Sequence, residues 1–167
     1  MMVKRVAVVA LVCLALAPAL WNSSFGLLST GPGAFGATVG VGGSFMGGSP
    51  MFDAFGEVSL GGSFCLRGTF SYIAGFEDVT AFALDGSFLW FLGAGAFQPY
   101  LGAGGGALMV TGAGGITGAF VVSALAGAYF PLNPWAGAYG GVRFLGQVWA
   151  EGFEGLFGPS VGLYVNF

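Results

Sequence analysis

A chain of 167 residues is one domain in length, yet only 7% of its residues are charged and 56% are hydrophobic. A soluble domain of this size covers itself with roughly 25% charged residues, so these values, with a mean hydropathy of +0.86, exclude an ordinary water-soluble fold. Acids outnumber bases, seven to four, which excludes a basic patch for nucleic acid. The 34 glycines favour strands over helices, because each weakens a helix in water by about 1 kcal/mol and suits close backbone approach in sheets.

The amino-terminal segment supplies an address. Lys4 and Arg5 precede the apolar run Val6 to Ala17, and Ala17-Pro18-Ala19 places small residues at cleavage spacing. This pattern predicts a secretory signal peptide over residues 1–19, with a retained signal anchor as the alternative. Cys13 follows Val12, a larger residue than lipoprotein processing accepts, so lipidation is not expected. Residues 20–33 are weakly patterned and are read as a short periplasmic lead-in to a domain over 34–167. After cleavage Cys65 stands alone, so no intramolecular disulfide forms and its role is that of a small buried apolar residue.

From Ala34 the period becomes two. Phe35, Ala37, Val39, Val41 and Phe45 alternate with Gly36, Thr38, Gly40, Gly42 and Ser44, predicting a first strand over 34–46 that Gly47-Gly48-Ser49-Pro50 breaks. A second strand, 54–64, sets Val58, Leu60 and Phe64 against Glu57, Ser59, Gly61 and Ser63. A tight reversal at Cys65 to Arg67 is expected to lead into a third strand, 68–75, although a single longer strand would fit the same alternation. After the acidic break Phe76-Glu77-Asp78, the row Phe82, Leu84, Phe88, Trp90 and Leu92 faces away from Ala83, Asp85, Ser87, Leu89 and Phe91, the clearest lipid-facing row in the chain. Gly93 to Gln98 turns the chain, and Pro99 to Gly106 opens a fifth strand. Thr111 to Ile116 is expected as a Gly-rich loop, followed by a sixth strand marked by Phe120, Val122, Ala124, Ala126, Ala128 and Phe130. Pro131-Leu132-Asn133-Pro134 is a strong turn. The seventh strand, 135–147, sets Ala138, Val142 and Phe144 against Tyr139, Gly141 and Arg143, and Glu151 to Gly155 is expected as the last loop.

The eighth strand alternates Val161, Leu163, Val165 and Phe167 with Ser160, Gly162, Tyr164 and Asn166. Its ending on an aromatic residue, with Ser160, Gly162, Val165 and Phe167 at the defining positions, resembles the signal by which the assembly machinery recognises bacterial outer-membrane barrels. About eight strands of about 8 to 13 residues are near the length needed to cross a bilayer at a tilt, and only helices and closed barrels satisfy the backbone in lipid. Helical spans within residues 81–130 are the structural rival. An even strand number puts both termini on one side. The connections near Asp53, Glu77-Asp78 and Glu151-Glu154 then form an acidic set, while the opposite set is compact and free of acids.

Pro99 to Gly106, Tyr129-Phe130-Pro131-Leu132, Gly141-Val142-Arg143-Phe144 and the closing Ser160 to Phe167 together resemble the small outer-membrane β-barrel superfamily typified by the OmpA transmembrane domain, OmpX and OmpW. The resemblance implies an all-β, eight-stranded, antiparallel, up-and-down transmembrane barrel in the bacterial outer membrane, with periplasmic termini and extracellular acidic loops. An interior dominated by Gly, Ala and Ser departs from that family, whose lumen is usually rich in charged and amide groups.

The polar faces carry Glu57, Arg67, Asp85 and Arg143. A charge inside a narrow barrel is costly unless paired, so these four are expected to form one or two ion pairs across the lumen, either as a plug that holds the barrel's register or as a gate. With no histidine and one mature cysteine, the sequence offers neither the usual base for a serine nucleophile nor a transition-metal site, and the loop acids are too scattered for a Ca²⁺ cage. The expected protein is therefore a monomeric non-enzyme without cofactor or metal, partnered by the bilayer and the assembly machinery. A narrow conduit for small hydrophobic solutes is the alternative that the OmpW resemblance implies, with Gly40, Gly42, Gly61, Gly102, Gly104, Gly127 and Gly141 leaving space that Tyr129, Tyr139 and Tyr164 could refill.

Overall fold

The computed structural model describes residues 36–74, 80–93, 95–112, 115–149 and 152–167. The signal peptide, the lead-in, Glu77, Asp78 and Glu151 lie outside the described residues. Eight strands follow one another: β1 Ala37–Met46, β2 Ser49–Gly61, β3 Phe64–Ile73, β4 Thr80–Phe91, β5 Gln98–Gly112, β6 Gly115–Pro131, β7 Ala136–Trp149 and β8 Gly152–Asn166. Each pairs antiparallel with the next, and β1 pairs with β8 from Thr38↔Asn166 to Ser44↔Ser160, which closes the barrel. Closure removes the free edge that an open sheet would expose. Residues 81–130, the stretch open to a helical alternative, lie in β4, β5 and β6 or their connections.

Alternation sorts the side chains as the period-two pattern predicts. Leu84, Phe88, Trp90, Val161, Leu163 and Phe167 are exposed on the outside, while Ala83, Asp85, Ser87, Leu89 and Tyr164 are buried within. The outer face is thus a continuous apolar surface, far larger than the few hundred Å² that a soluble monomer exposes.

Four expected boundaries move, all because glycine lets a strand reverse or continue where composition suggests a loop. At the first turn Gly47 and Gly48 have φ of 57° and 88°, the left-handed pair that a two-residue hairpin needs. β2 therefore begins at Ser49, opposite Met46. Pro50 is tolerated because it lies where the β2–β3 ladder ends, at Met51↔Ile73. The second reversal lies after Gly61 (φ 95°) and Gly62 (φ 62°), not at Cys65 to Arg67, which belong to β3. Unbroken alternation on both sides hid that turn. The strands also extend into both expected loops, with Thr111 opposite Ile116 and Glu154 in β8 opposite Gln147.

Candidate functional site: the barrel lumen

The inward side chains form three tiers. Nearest the rim opposite the termini, here the distal rim, Met46, Met51, Ile73, Ala81, Ala83, Leu108, Ala119, Val121 and Leu145 make an apolar cluster with Val110 and Leu156 packed against it. The tier nearest the terminal rim gathers Phe55, Leu89, Tyr100, Leu125, Tyr129, Tyr139 and Tyr164. The charged groups lie between and among them.

Arg143 enters from β7 and crosses the lumen. Its Nη1 donates to Asp53 Oδ1 on β2 at 2.9 Å and to Ser71 Oγ on β3 at 3.0 Å, and its Nη2 pairs with Asp85 Oδ2 on β4. Asp85 Oδ1 also accepts from Ser87 Oγ (3.1 Å) and Ser123 Oγ (3.2 Å), and Ser44 Oγ approaches Asp53 Oδ2 at 3.4 Å. Asp53, Asp85 and Arg143 are 7%, 3% and 3% exposed. Among the described residues, Arg143 Nε is a buried polar atom without a partner in the protein; such a donor costs roughly 1–3 kcal/mol.

Arg67 makes a different kind of pair. Glu57 and Arg67 are direct partners across β2 and β3, and Arg67 Nε donates to Glu57 Oε1 at 2.7 Å. Tyr129 Oη on β6 donates to the same carboxylate oxygen at 2.8 Å while accepting from Arg67 Nη2. The guanidinium carbon lies 4.4 Å from the Phe55 ring centroid and 5.3 Å from that of Tyr100, within cation–π range. Burial inside the aromatic tier thus strengthens a pair that water would weaken.

All four residues singled out on the polar faces point into the lumen, but they form two sets, Glu57 with Arg67 and Asp85 with Arg143. Asp53 was expected near an acidic loop and instead sits beside Arg143. Its signal was its parity: it lies four residues before Glu57 on the same strand, so the same alternation carries it inward once β2 begins at Ser49. Tyr129 was not read as a partner of Glu57, because the bond from β6 to Glu57 spans the barrel and leaves no local trace.

The glycines do not leave an open bore at the terminal tier. A Cβ at Gly40 would overlap the Phe55 ring, at Gly42 and Gly162 the ring and hydroxyl of Tyr139, at Gly137 Tyr164, at Gly127 Tyr100, and at Gly102 Leu89. Each large side chain lies over a glycine on a neighbouring strand, the packing by which an aromatic ring covers backbone that glycine leaves bare. Gly61 ends β2 beside the second turn and has open space where a Cβ would lie. At Gly104 and Gly141 an added Cβ would meet backbone of the adjacent strand, so these positions serve close strand approach. Tyr129 completes the tier, its ring centroid 4.6 Å from that of Tyr164 and 5.4 Å from that of Tyr100.

In the closing strand, Ser160 is buried opposite Ser44 and Gly162 lies beneath Tyr139, whereas Val165 and Phe167 face outward. Phe167 N donates to Ala37 O at 2.8 Å, fastening the end of the chain to the start of β1. Solved β-barrel structures share this fold. The chain has the fold of the small outer-membrane β-barrels. It aligns with the N-terminal β-barrel domain of Pseudomonas aeruginosa OprF at a TM-score of 0.67 and 16% identity, over 81% of this chain and 99% of that one. Neisserial surface protein A (NspA) aligns at a TM-score of 0.57 and 10% identity, covering 78% and 93%. A de novo designed transmembrane β-barrel aligns at 0.54 and 13%, covering 82% and 98%. No protein-family model matches the sequence, and no curated protein matches it. At these identities the likeness concerns the fold alone, and a designed protein shares it.

Proposed function

We propose that this protein is a non-enzymatic, monomeric outer-membrane barrel that serves as a closed, membrane-embedded scaffold. The observation that carries this reading is the lumen itself: Arg143 bridges β7 to β2 and β4, and Phe55, Tyr100, Tyr129, Tyr139 and Tyr164 stack across the terminal half. An eight-stranded barrel is just wide enough for its side chains to fill. The apolar exterior supports embedding in a bilayer. The segment from Lys4 to Ala19 supports export, and Ser160, Gly162, Val165 and Phe167 support delivery to the barrel assembly machinery. In this reading the termini are periplasmic and the acidic connections extracellular, where they offer charged groups to an outside partner.

A narrow conduit for small hydrophobic solutes is the competing function. Its basis was space left by glycine, and the rings over Gly40, Gly42, Gly127 and Gly137 occupy that space, which favours the closed reading. Conductance and solute flux across bilayers containing the refolded protein separate the two, once an unboiled gel sample has the mobility shift of a closed barrel. A folded but silent barrel is expected. Steady leakage of ions or apolar solutes, altered by Arg143→Ala, would instead establish the conduit.

A further inference from the structure

The outer surface of this barrel is unusual in sign as well as in polarity. Between Val6 and Phe167 the chain contains two cationic side chains, Arg67 and Arg143, and no histidine. Both are 3% exposed and held in ion pairs inside the lumen. None of the residues outside the described set in that span is Lys or Arg, so no cationic side chain of that span reaches the exterior. Three of the acids, Asp53, Glu57 and Asp85, are also in the lumen. Glu154 is exposed on β8, and with Glu77, Asp78 and Glu151 it brings the acids to seven, against two bases between Val6 and Phe167. What the exterior offers a bilayer is apolar area and uncharged aromatic anchors, such as Trp90 and Trp135, at 48% and 55% exposure, the residue type that settles at headgroup level.

Membrane proteins commonly gain about 1 kcal/mol per Lys or Arg from anionic headgroups near the surface. Between Val6 and Phe167 no such residue reaches the exterior, while seven acids against two bases leave that span a net negative charge that headgroups of the same sign repel. Resting on the membrane-embedded reading above, we infer that the outer surface is fitted to a lipid surface of neutral headgroups, and that anionic headgroups oppose its insertion. Charge complementarity selects the lipid here, since hydrocarbon contact is the same for both headgroups.

The test compares folding from urea into phosphatidylcholine vesicles and into vesicles in which about one third of the lipid is phosphatidylglycerol with the same acyl chains. The full chain and its Lys4→Gln/Arg5→Gln variant, which lacks the amino-terminal cationic side chains, are both followed by gel mobility and tryptophan fluorescence. Salt is varied from 0.01 M, where the screening length is about 30 Å, to 1 M, where it is about 3 Å. For the variant, folding into the anionic vesicles is expected to be several-fold slower at low salt, with the difference gone at high salt. An Ile116→Lys/Leu132→Lys protein, altered at two positions 77% and 72% exposed in opposite halves of the barrel, should reverse the order, by about fivefold per lysine from about 1 kcal/mol each. Equal or faster folding of the Lys4→Gln/Arg5→Gln chain into anionic vesicles at low salt would overturn the inference and leave the membrane reading intact. Failure to fold into either vesicle would overturn both.

Discussion

Arg143 and Arg67 are the same residue type at the same exposure in the same lumen, yet they are held in opposite ways. Arg67 meets Glu57 directly across one pair of neighbouring strands and is walled by aromatic rings. Arg143 reaches from β7 to two carboxylates on β2 and β4, and its partners belong to strands that never pair with its own. The first is a local contact improved by its surroundings. The second exists only because the sheet closes, and it ties opposite walls together. A buried pair is weak evidence of net stability, but breaking one by removing a partner leaves an uncompensated charge and costs about 3–5 kcal/mol. The difference between the two arginines is therefore one of what each holds together.

The largest effect is expected from Arg143→Ala, which leaves Asp53 and Asp85 buried and unpaired. Urea unfolding of the refolded barrel should fall by about 5 kcal/mol or fail to yield a folded state. Asp85→Ala should cost less, about 3 kcal/mol, because Arg143 keeps Asp53 and Ser71. If both substitutions left the unfolding midpoint unchanged, the cross-lumen tie would have no mechanical role. For the local pair, Tyr129→Phe removes a hydroxyl that bonds both Glu57 and Arg67 and should lower stability by about 1–3 kcal/mol. The double replacement Glu57→Gln/Arg67→Met should come within about 1 kcal/mol of the parent, since exchanging a buried pair for groups of similar volume is often neutral. A double variant as unstable as Arg143→Ala would make the two clusters equivalent and dissolve the contrast.

At the glycines beneath large side chains the identity of the obstacle sets the size of the effect. At Gly102 the atom in the way is the far end of the Leu89 side chain, whereas at Gly42 it is the Tyr139 hydroxyl together with the Val161 carbonyl. Gly102→Ala should lower stability by about 1 kcal/mol, and Gly42→Ala by up to about 3 kcal/mol, as overpacking in a well-filled core does. The comparison is read from the same unfolding curves, and an inverted order would mean that the Tyr139 ring is free to swing away.

The closing strand and the row from Phe82 to Leu92 were legible because alternation alone assigns their faces, and the same rule put Glu57, Arg67, Asp85 and Arg143 inside. Turn placement was less legible. The alternation runs unbroken through Gly61, and only the positive φ of Gly61 and Gly62 marks the reversal, a backbone state that composition does not report. Asp53 was missed for a related reason, since Pro50 looks like a strand breaker until it is known to stand at the end of a ladder.

Alternation and composition were enough to fix that this chain avoids water on its outside, has strands enough to close a barrel, and turns Arg67 and Arg143 inward. Those properties follow from a period of two residues and from the cost of unpaired charge, both of which act locally. The tertiary structure alone decided that Arg143 bridges Asp53 and Asp85, that Tyr129 completes the Glu57–Arg67 pair, and that rings occupy the spaces over glycine. Such contacts span the barrel, so they depend on the stagger with which the strands close, and no stretch of sequence encodes that by its own pattern.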